Sequence, residues 1–205
     1  QYPVRLLIVH PRLRTDFYQG TIRHNCYEMA REICRDIPLC YNGDIFNLRD
    51  YEQIINRYPD TDRIMIGRGL LSNPALGRRI RGGEPAGGGE LERMLELIRE
   101  GYMKVMKDQN KWPFLLKEQW RYFRWIFSEE DREKTEMLLR ERDPDRFARM
   151  SQEILRSCRI DDSRGFVRFG AGERLSKGFS LNERLCGDGK CKIVCYAEFG
   201  CNEPL

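Results

Sequence analysis

Roughly the first 80 residues alternate short apolar runs with longer amphipathic ones, and this limits the fold more than any other feature of the chain. Val4 to Val9 reads as a buried strand. Ile22, Cys26, Met29, Ala30 and Ile33 recur at helical spacing, which predicts a helix over 22–35 with one apolar face. Pro38 to Tyr41 reads as a second strand, closed by Asn42-Gly43-Asp44. Leu48, Tyr51, Ile54, Ile55 and Tyr58 mark a second helix, with Asn47 as its N-cap and Asp50 placed for a capping box. Arg63 to Ile66 is a third strand ending in Gly67-Arg68-Gly69, and Asn73-Pro74 opens a third helix over 74–81. The order β-α-β-α-β-α with short connections calls for parallel strands joined by crossover helices. Three such units cannot close a sheet, and both outer strands keep unpaired backbone. A small three-layer α/β domain fits the pattern. A (β/α)₈ TIM barrel lacking its first strands fits the abrupt start at Gln1 better, and its open edges predict self-association.

Gly82-Gly83 and Gly87-Gly88-Gly89 predict a flexible linker over 83–89 between the α/β part, residues 1–82, and a helical part, residues 90–160. In the helical part Leu91, Met94, Leu95, Ile98, Tyr102 and Val105 form one stripe. Pro113 opens a helix running to Phe127, and two more helices are expected over 129–141 and 144–158, making an all-α bundle around Trp112, Trp120 and Trp125. Residues 161–205 lose the pattern and read as an irregular, cysteine-containing tail.

No apolar run approaches the roughly 18–20 residues of a membrane span, and no secretory signal is visible at the start. The eight cysteines therefore read as reduced thiols of a cytoplasmic protein. Cys186, Cys191, Cys195 and Cys201 could together ligate zinc, but no close pair of the C-x₂-C type is present, and an unordered tail is the simpler reading. A net charge of +4 permits a nucleic-acid partner without requiring one.

Each of the three strands ends in chemistry: His10-Pro11-Arg12, Asn42-Gly43-Asp44 and Gly67-Arg68-Gly69. In a parallel barrel these ends share one face, where ligands bind, and the last strands commonly take a phosphate. Glycines there admit close backbone approach, and the Arg68 fork matches phosphate geometry. A lone Gly-Arg-Gly also suits a tight turn; three such ends in order point to a site. In the helical part Lys117, Arg121 and Arg124 fall on one stripe at i, i+4 and i+7. Such a stripe can follow a phosphate backbone, with aromatic neighbours stacking on a base. It can equally be a solvated charged face, since Glu118 and Glu129-Glu130-Asp131 are near in sequence.

Val9-His10-Pro11-Arg12-Leu13-Arg14-Thr15 with Tyr18-Gln19-Gly20, Asn42-Gly43-Asp44-Ile45, and the run Ile64 to Pro74 resemble the strand-end signatures of the tRNA-dihydrouridine synthase family. Pro11 stands where that family commonly has glycine. The resemblance is strong over residues 1–80, weaker over 90–160, and does not reach the tail. It implies the last three βα units of an FMN-binding barrel followed by a tRNA-binding helical domain. His10 would lie beside the isoalloxazine, hydrogen-bonding the flavin or the target uracil. Asn42, Gly43 and Asp44 would line the ribityl and phosphate side, and Gly67 and Arg68 would bind the FMN phosphate. In the family NAD(P)H reduces FMN, a hydride passes to C6 of a uridine in tRNA, and a cysteine acid protonates C5. That cysteine belongs to the family's N-terminal half. The resemblance thus implies no catalytic residue in this chain, which alone would be inactive, and Cys26 and Cys34 sit on a helix face instead. Two other readings stay open: another FMN barrel oxidoreductase of the dihydroorotate dehydrogenase kind, and a non-catalytic RNA-binding remnant. The basic stripe argues against the first.

Overall fold

A computed structural model of the chain describes residues 4–13, 20–105 and 111–166. The chain is α/β, with a small parallel sheet and many helices. Its contacts group into two units. One holds the described residues up to Asp44 together with Tyr58–Met65, and the other holds Ile45–Arg57 with Ile66–Phe166. No helix among the described residues is long and apolar enough to cross a membrane.

In the first unit, strands β1 (Leu7–Val9), β2 (Leu39–Asn42) and β3 (Ile64–Met65) form a parallel sheet in the order β1-β2-β3. Val9 pairs with Tyr41, and Tyr41 with Ile64. The third strand is shorter than the predicted 63–66; Arg63 accepts through its carbonyl from the Tyr41 amide at 3.0 Å without entering the strand. Helix α1 (His24–Ile33) forms where the spacing placed it, but rotated. Tyr27 and Ala30 are buried, whereas Met29 and Ile33, expected on the apolar face, are 56% and 72% exposed. Aromatic packing turns the helix. Tyr27 meets Tyr41 edge-on with centroids 5.0 Å apart, and Tyr58 also at 5.0 Å. A tyrosine buries more apolar surface than either aliphatic side chain, provided its hydroxyl is satisfied. The Tyr27 hydroxyl lies 3.2 Å from Thr61 Oγ1, and the Tyr58 hydroxyl lies 3.1 Å from His24 Nδ1. Burial pushes the Tyr27 and Tyr41 phenols above their ordinary range, so both stay neutral in the core.

The second unit is built from helices. α2 (Leu48–Arg57) starts with the expected reciprocal cap: Asp50 N donates to Asn47 Oδ1, and Phe46 N to Asp50 Oδ2, both at 2.9 Å. Gly67-Arg68-Gly69, read as the end of the third strand, is the entry to a short helix, α3 (Arg68–Ser72). The helix predicted over 74–81 follows as α4 (Leu76–Ile80), with Asn73 Oδ1 accepting from Ala75 N at 3.0 Å. α5 (Gly88–Val105), α6 (Trp112–Phe123), α7 (Arg132–Arg140) and α8 (Pro144–Ser157) complete the unit. Gly88 and Gly89, expected in the linker, are the first residues of α5. The Leu155 carbonyl of α8 occupies the place where a Cβ of Gly88 would stand, so this glycine permits close packing rather than flexibility. The helix predicted to reach Phe127 ends at Phe123 and tightens into a 3₁₀ turn, Arg124–Ile126. α8 begins as expected, with Asp143 Oδ1 accepting from Arg146 N at 2.7 Å and Pro144 in the first turn. Trp120 is the centre of the unit: fully buried, stacked on Phe127 at 5.8 Å, its Nε1 donating to Ser151 Oγ at 3.1 Å.

After α8 the chain runs back along the unit. Ile160 bridges Phe127, and Asp161 N donates to the Ile126 carbonyl at 2.7 Å. Asp131 anchors this return: its carboxylate accepts from Lys134 Nζ at 2.9 Å, Arg159 N at 3.0 Å and Ser128 Oγ at 3.0 Å. The Lys134 ammonium first, and then the Arg159 amide, hold the carboxyl far below the usual carboxylate range. A carboxylate depressed on folding adds stability above its unfolded value of 3.8, and that stability is lost as pH falls toward the folded value. Asp131→Asn should therefore melt below wild type near pH 7, and lose less on going from about pH 5 to about pH 3. Acid limbs of equal steepness in thermal melts would rule this anchor out.

Candidate functional site

β1 ends at Val9, and His10 turns its ring toward the end of β2: Nδ1 lies 2.7 Å from the Asn42 carbonyl oxygen. A carbonyl only accepts, so Nδ1 carries a proton, and in a neutral imidazole Nε2 is then the acceptor. Nε2 is buried and has no hydrogen-bond partner among the described residues. An unpaired buried acceptor costs about 1–3 kcal/mol, and an N–H or O–H donor from a ligand would remove that cost.

Asn42, Gly43 and Asp44 follow β2, as expected, but two of them have structural work. The Tyr41 ring fills the space where a Cβ of Gly43 would stand, so this glycine makes room for a core side chain. Asp44 receives the Arg12 fork, with Nη1 to Oδ1 at 3.1 Å and Nη2 to Oδ2 at 2.6 Å. The Arg12 side chain is 2% exposed, and its Nε donates to the Gly20 carbonyl at 3.0 Å. Arg12 was visible in the strand-end motif, yet nothing in the spacing revealed it as the partner of Asp44. The Asn42 amide lies next to Met65 Sδ at 3.5 Å.

In the second unit Gly67 has open space beside it: a Cβ there would meet nothing within 4 Å. Gly69 differs, because the Ile45 carbonyl occupies its Cβ position. The Arg68 guanidinium lies 5.3 Å from the Phe46 ring centroid and 5.4 Å from that of Phe166. Sequence spacing offered no signal for either ring.

Lys117, Arg121 and Arg124 are not one uniform stripe. Lys117 donates to the Glu141 carbonyl at the C-terminal end of α7 and lies over the Phe147 ring at 5.7 Å. Burial lowers its pKa. Arg121 pairs with Glu118 at 3.3 Å and keeps about a third of its side chain exposed. Arg124 lies 4.6 Å over the Trp125 ring, which Arg132 also approaches at 5.0 Å.

The described cysteines are free thiols. Cys34 lines a cleft of about 450 Å³ with Pro38, Leu39 and Arg63, at the N-terminal ends of β2 and β3, the opposite end from His10 and Asn42. Among the described residues no group of three or more His, Cys, Asp or Glu could hold a metal ion. Cys186, Cys191, Cys195 and Cys201 lie outside the described residues.

A family model described as Dihydrouridine synthase (Dus) matches residues 3–158. A tRNA-dihydrouridine(16) synthase of Neisseria meningitidis serogroup A is 29% identical over 119 residues, covering 56% of this chain and 35% of that protein. A probable tRNA-dihydrouridine synthase of Rhizobium leguminosarum is 34% identical over 71 residues, 35% of this chain and 22% of that protein. A tRNA-dihydrouridine(20a/20b) synthase of Schizosaccharomyces pombe, whose name carries NAD(P)+, is 38% identical over 71 residues, 35% of this chain and 21% of that protein. The chain thus spans about a third or less of the length of these relatives.

Removing one partner of a buried ion pair strands the other charge. Asp44→Ala should destabilise the chain by about 3 kcal/mol or more, and Arg12→Met with Asp44→Ala together by less than Asp44→Ala alone. Urea unfolding of the single and double variants tests this; additive losses would show that the pair is not coupled.

Proposed function

Because the chain belongs to the dihydrouridine synthase family, we propose that it is part of a flavin-dependent tRNA-dihydrouridine synthase, reducing uridine in tRNA to 5,6-dihydrouridine with FMN and NAD(P)H. Residues 1–82 are the last three βα units of a TIM barrel, and residues 90–160 are a helical bundle that contacts tRNA. When bound, FMN supplies the hydride chemistry for the C5–C6 double bond of uracil. The chain's own residues bind and orient. Gly67 leaves room beside the FMN phosphate and Arg68 takes its charge. Asn42, Gly43 and Asp44 border the ribityl chain, with Asp44 also holding Arg12 in place. Arg121 and Arg124 contact the RNA backbone, with Lys117 held closer to the protein by its bond to Glu141. The name of the S. pombe relative supports a nicotinamide reductant.

One observation carries the reading: His10 Nε2 is buried with no partner among the described residues, its ring fixed by the bond from Nδ1 to the Asn42 carbonyl. Flavin and uracil rings both carry an imide N–H, the complement of that lone pair. Taken each in its own unit, His10 offers a ring acceptor and Arg68 a cation, the two chemistries that such a group would use. The family resemblance assigns the proton for C5 to a cysteine of the family's N-terminal half, and the reading gives that role to neither Cys26 nor Cys34, so this chain alone would be inactive.

Titration of FMN with the chain, followed by quenching of flavin fluorescence, should show saturable binding. Arg68→Ala should weaken it by about 10-fold or more, the size of a charge-assisted hydrogen bond to phosphate. A folded chain that binds no FMN, or binds it equally well without the Arg68 guanidinium, would refute the assignment.

A further inference from the structure

Between residues 141 and 149 the acids Glu141, Asp143 and Asp145 balance the arginines Arg142, Arg146 and Arg149. The turn from α7 into α8 breaks that balance in space. Glu141 folds back on the chain: its Oε1 accepts from Arg142 N at 2.7 Å and from Asp143 N at 3.0 Å, and its Oε2 lies 3.1 Å from Arg146 Nε. The Asp143 amide first, and then that of Arg142, hold this carboxyl below its usual range. Asp143 caps α8 through its bond from Arg146 N at 2.7 Å. Asp145 lines a groove with Glu92 and Glu96 of α5, on the side of α8 that also carries Ala148 and Gln152.

The cations are placed otherwise. Arg142 and Arg149 are exposed, and among the described residues neither guanidinium has an ion-pair or hydrogen-bond partner. Arg149 is one helical turn beyond Arg146, so the two share a side of α8. The α6 stripe meets the turn at Glu141, whose carbonyl accepts from Lys117 Nζ. Burial is the largest cause of the lowered Lys117 pKa; Arg142 and Arg121 add like-charge repulsion, which Glu141 opposes. Arg121, Lys117 and Arg142 are thus close enough to repel, and a polyanion laid along them relieves that repulsion.

We propose that the α7–α8 turn is an RNA-backbone contact surface, with Arg142 and Arg149 as its phosphate ligands, continuing the track that starts at Arg121 on α6. The inference rests on the reading of the helical unit as a tRNA contact, and it adds residues outside the α6 stripe. The acids of the turn serve the backbone and one guanidinium, which leaves two arginine forks facing solvent, each matched to a phosphate. Such contacts are independent of base sequence and release counterions.

The test titrates a fluorescently labelled, unmodified tRNA transcript with the full chain, read by anisotropy over a series of KCl concentrations. Wild-type affinity should fall as salt rises. Arg142→Gln with Arg149→Gln should weaken binding by about 10-fold at low salt and flatten the slope of log affinity against log salt by about 1.4–1.8, at about 0.7–0.9 per phosphate contact. Arg142→Lys with Arg149→Lys should restore the slope, and neither pair should change the melting temperature. Arg93→Gln, on α5 beside Glu96 at 3.2 Å, should leave the slope as it is. An unchanged slope in the glutamine pair, with a lower one in Arg121→Gln, would refute this surface and leave the tRNA reading standing. A loss as large in Arg93→Gln would mean unspecific attraction to the whole unit, and a loss confined to polyglutamate binding would mean an acidic protein partner; either overturns the proposal. A folded wild type that binds the transcript at no salt concentration would sink the tRNA reading and this surface with it.

Discussion

Arg12 is almost wholly removed from water, and the chain tolerates this because Asp44 answers both prongs of its guanidinium while the Gly20 carbonyl takes Nε. A buried arginine with fewer partners would leave an uncompensated charge in the interior. The consequence is geometric. The turn after β1 and the residues after β2 are fixed to each other, and the short Arg12 N to His10 O bond of 2.8 Å keeps the turn tight. His10 can then hold the Asn42 carbonyl, with Nε2 left without a partner among the described residues. The arrangement of the strand ends in the first unit thus depends on this ion pair.

Aromatic residues play the matching part in each core. Tyr27, Tyr41 and Tyr58 close the first unit with ring contacts of 5.0–6.1 Å, and Tyr41 takes the space that Gly43 leaves. In the second unit Trp120 gathers α6, the 3₁₀ turn and α8, and its indole N–H is satisfied by Ser151. Such rings supply much apolar area per residue, which matters when strands are two to four residues long.

Features set by neighbours in sequence were legible in advance. The α2 cap at Asn47 and Asp50, the start of α8 at Asp143-Pro144 and the order of the strands all follow from local chemistry. Features set by distant partners were not. Counting only aliphatic spacing in α1 placed Met29 and Ile33 inward, because the partners that attract Tyr27 lie in β2 and before β3. Gly88 read as flexible because the Leu155 carbonyl against it is far along the chain, and nothing in the spacing showed that the Tyr41 ring fills the space beside Gly43. The residue types at the strand ends were readable; the division of labour among them, with Asp44 given to Arg12 and Lys117 to Glu141, required coordinates.

The protonation pattern of His10 is the most direct measure of whether these strand ends form a ligand site. Long-range nitrogen–proton NMR correlation on the chain, with His10 assigned through a His10→Gln control, reads both ring nitrogens. The expected result is an Nδ1–H tautomer in the free chain and a shift of the Nε2 resonance when FMN is added. An Nε2–H tautomer, or an Nε2 signal indifferent to saturating FMN, would contradict the assignment of His10 to the cofactor.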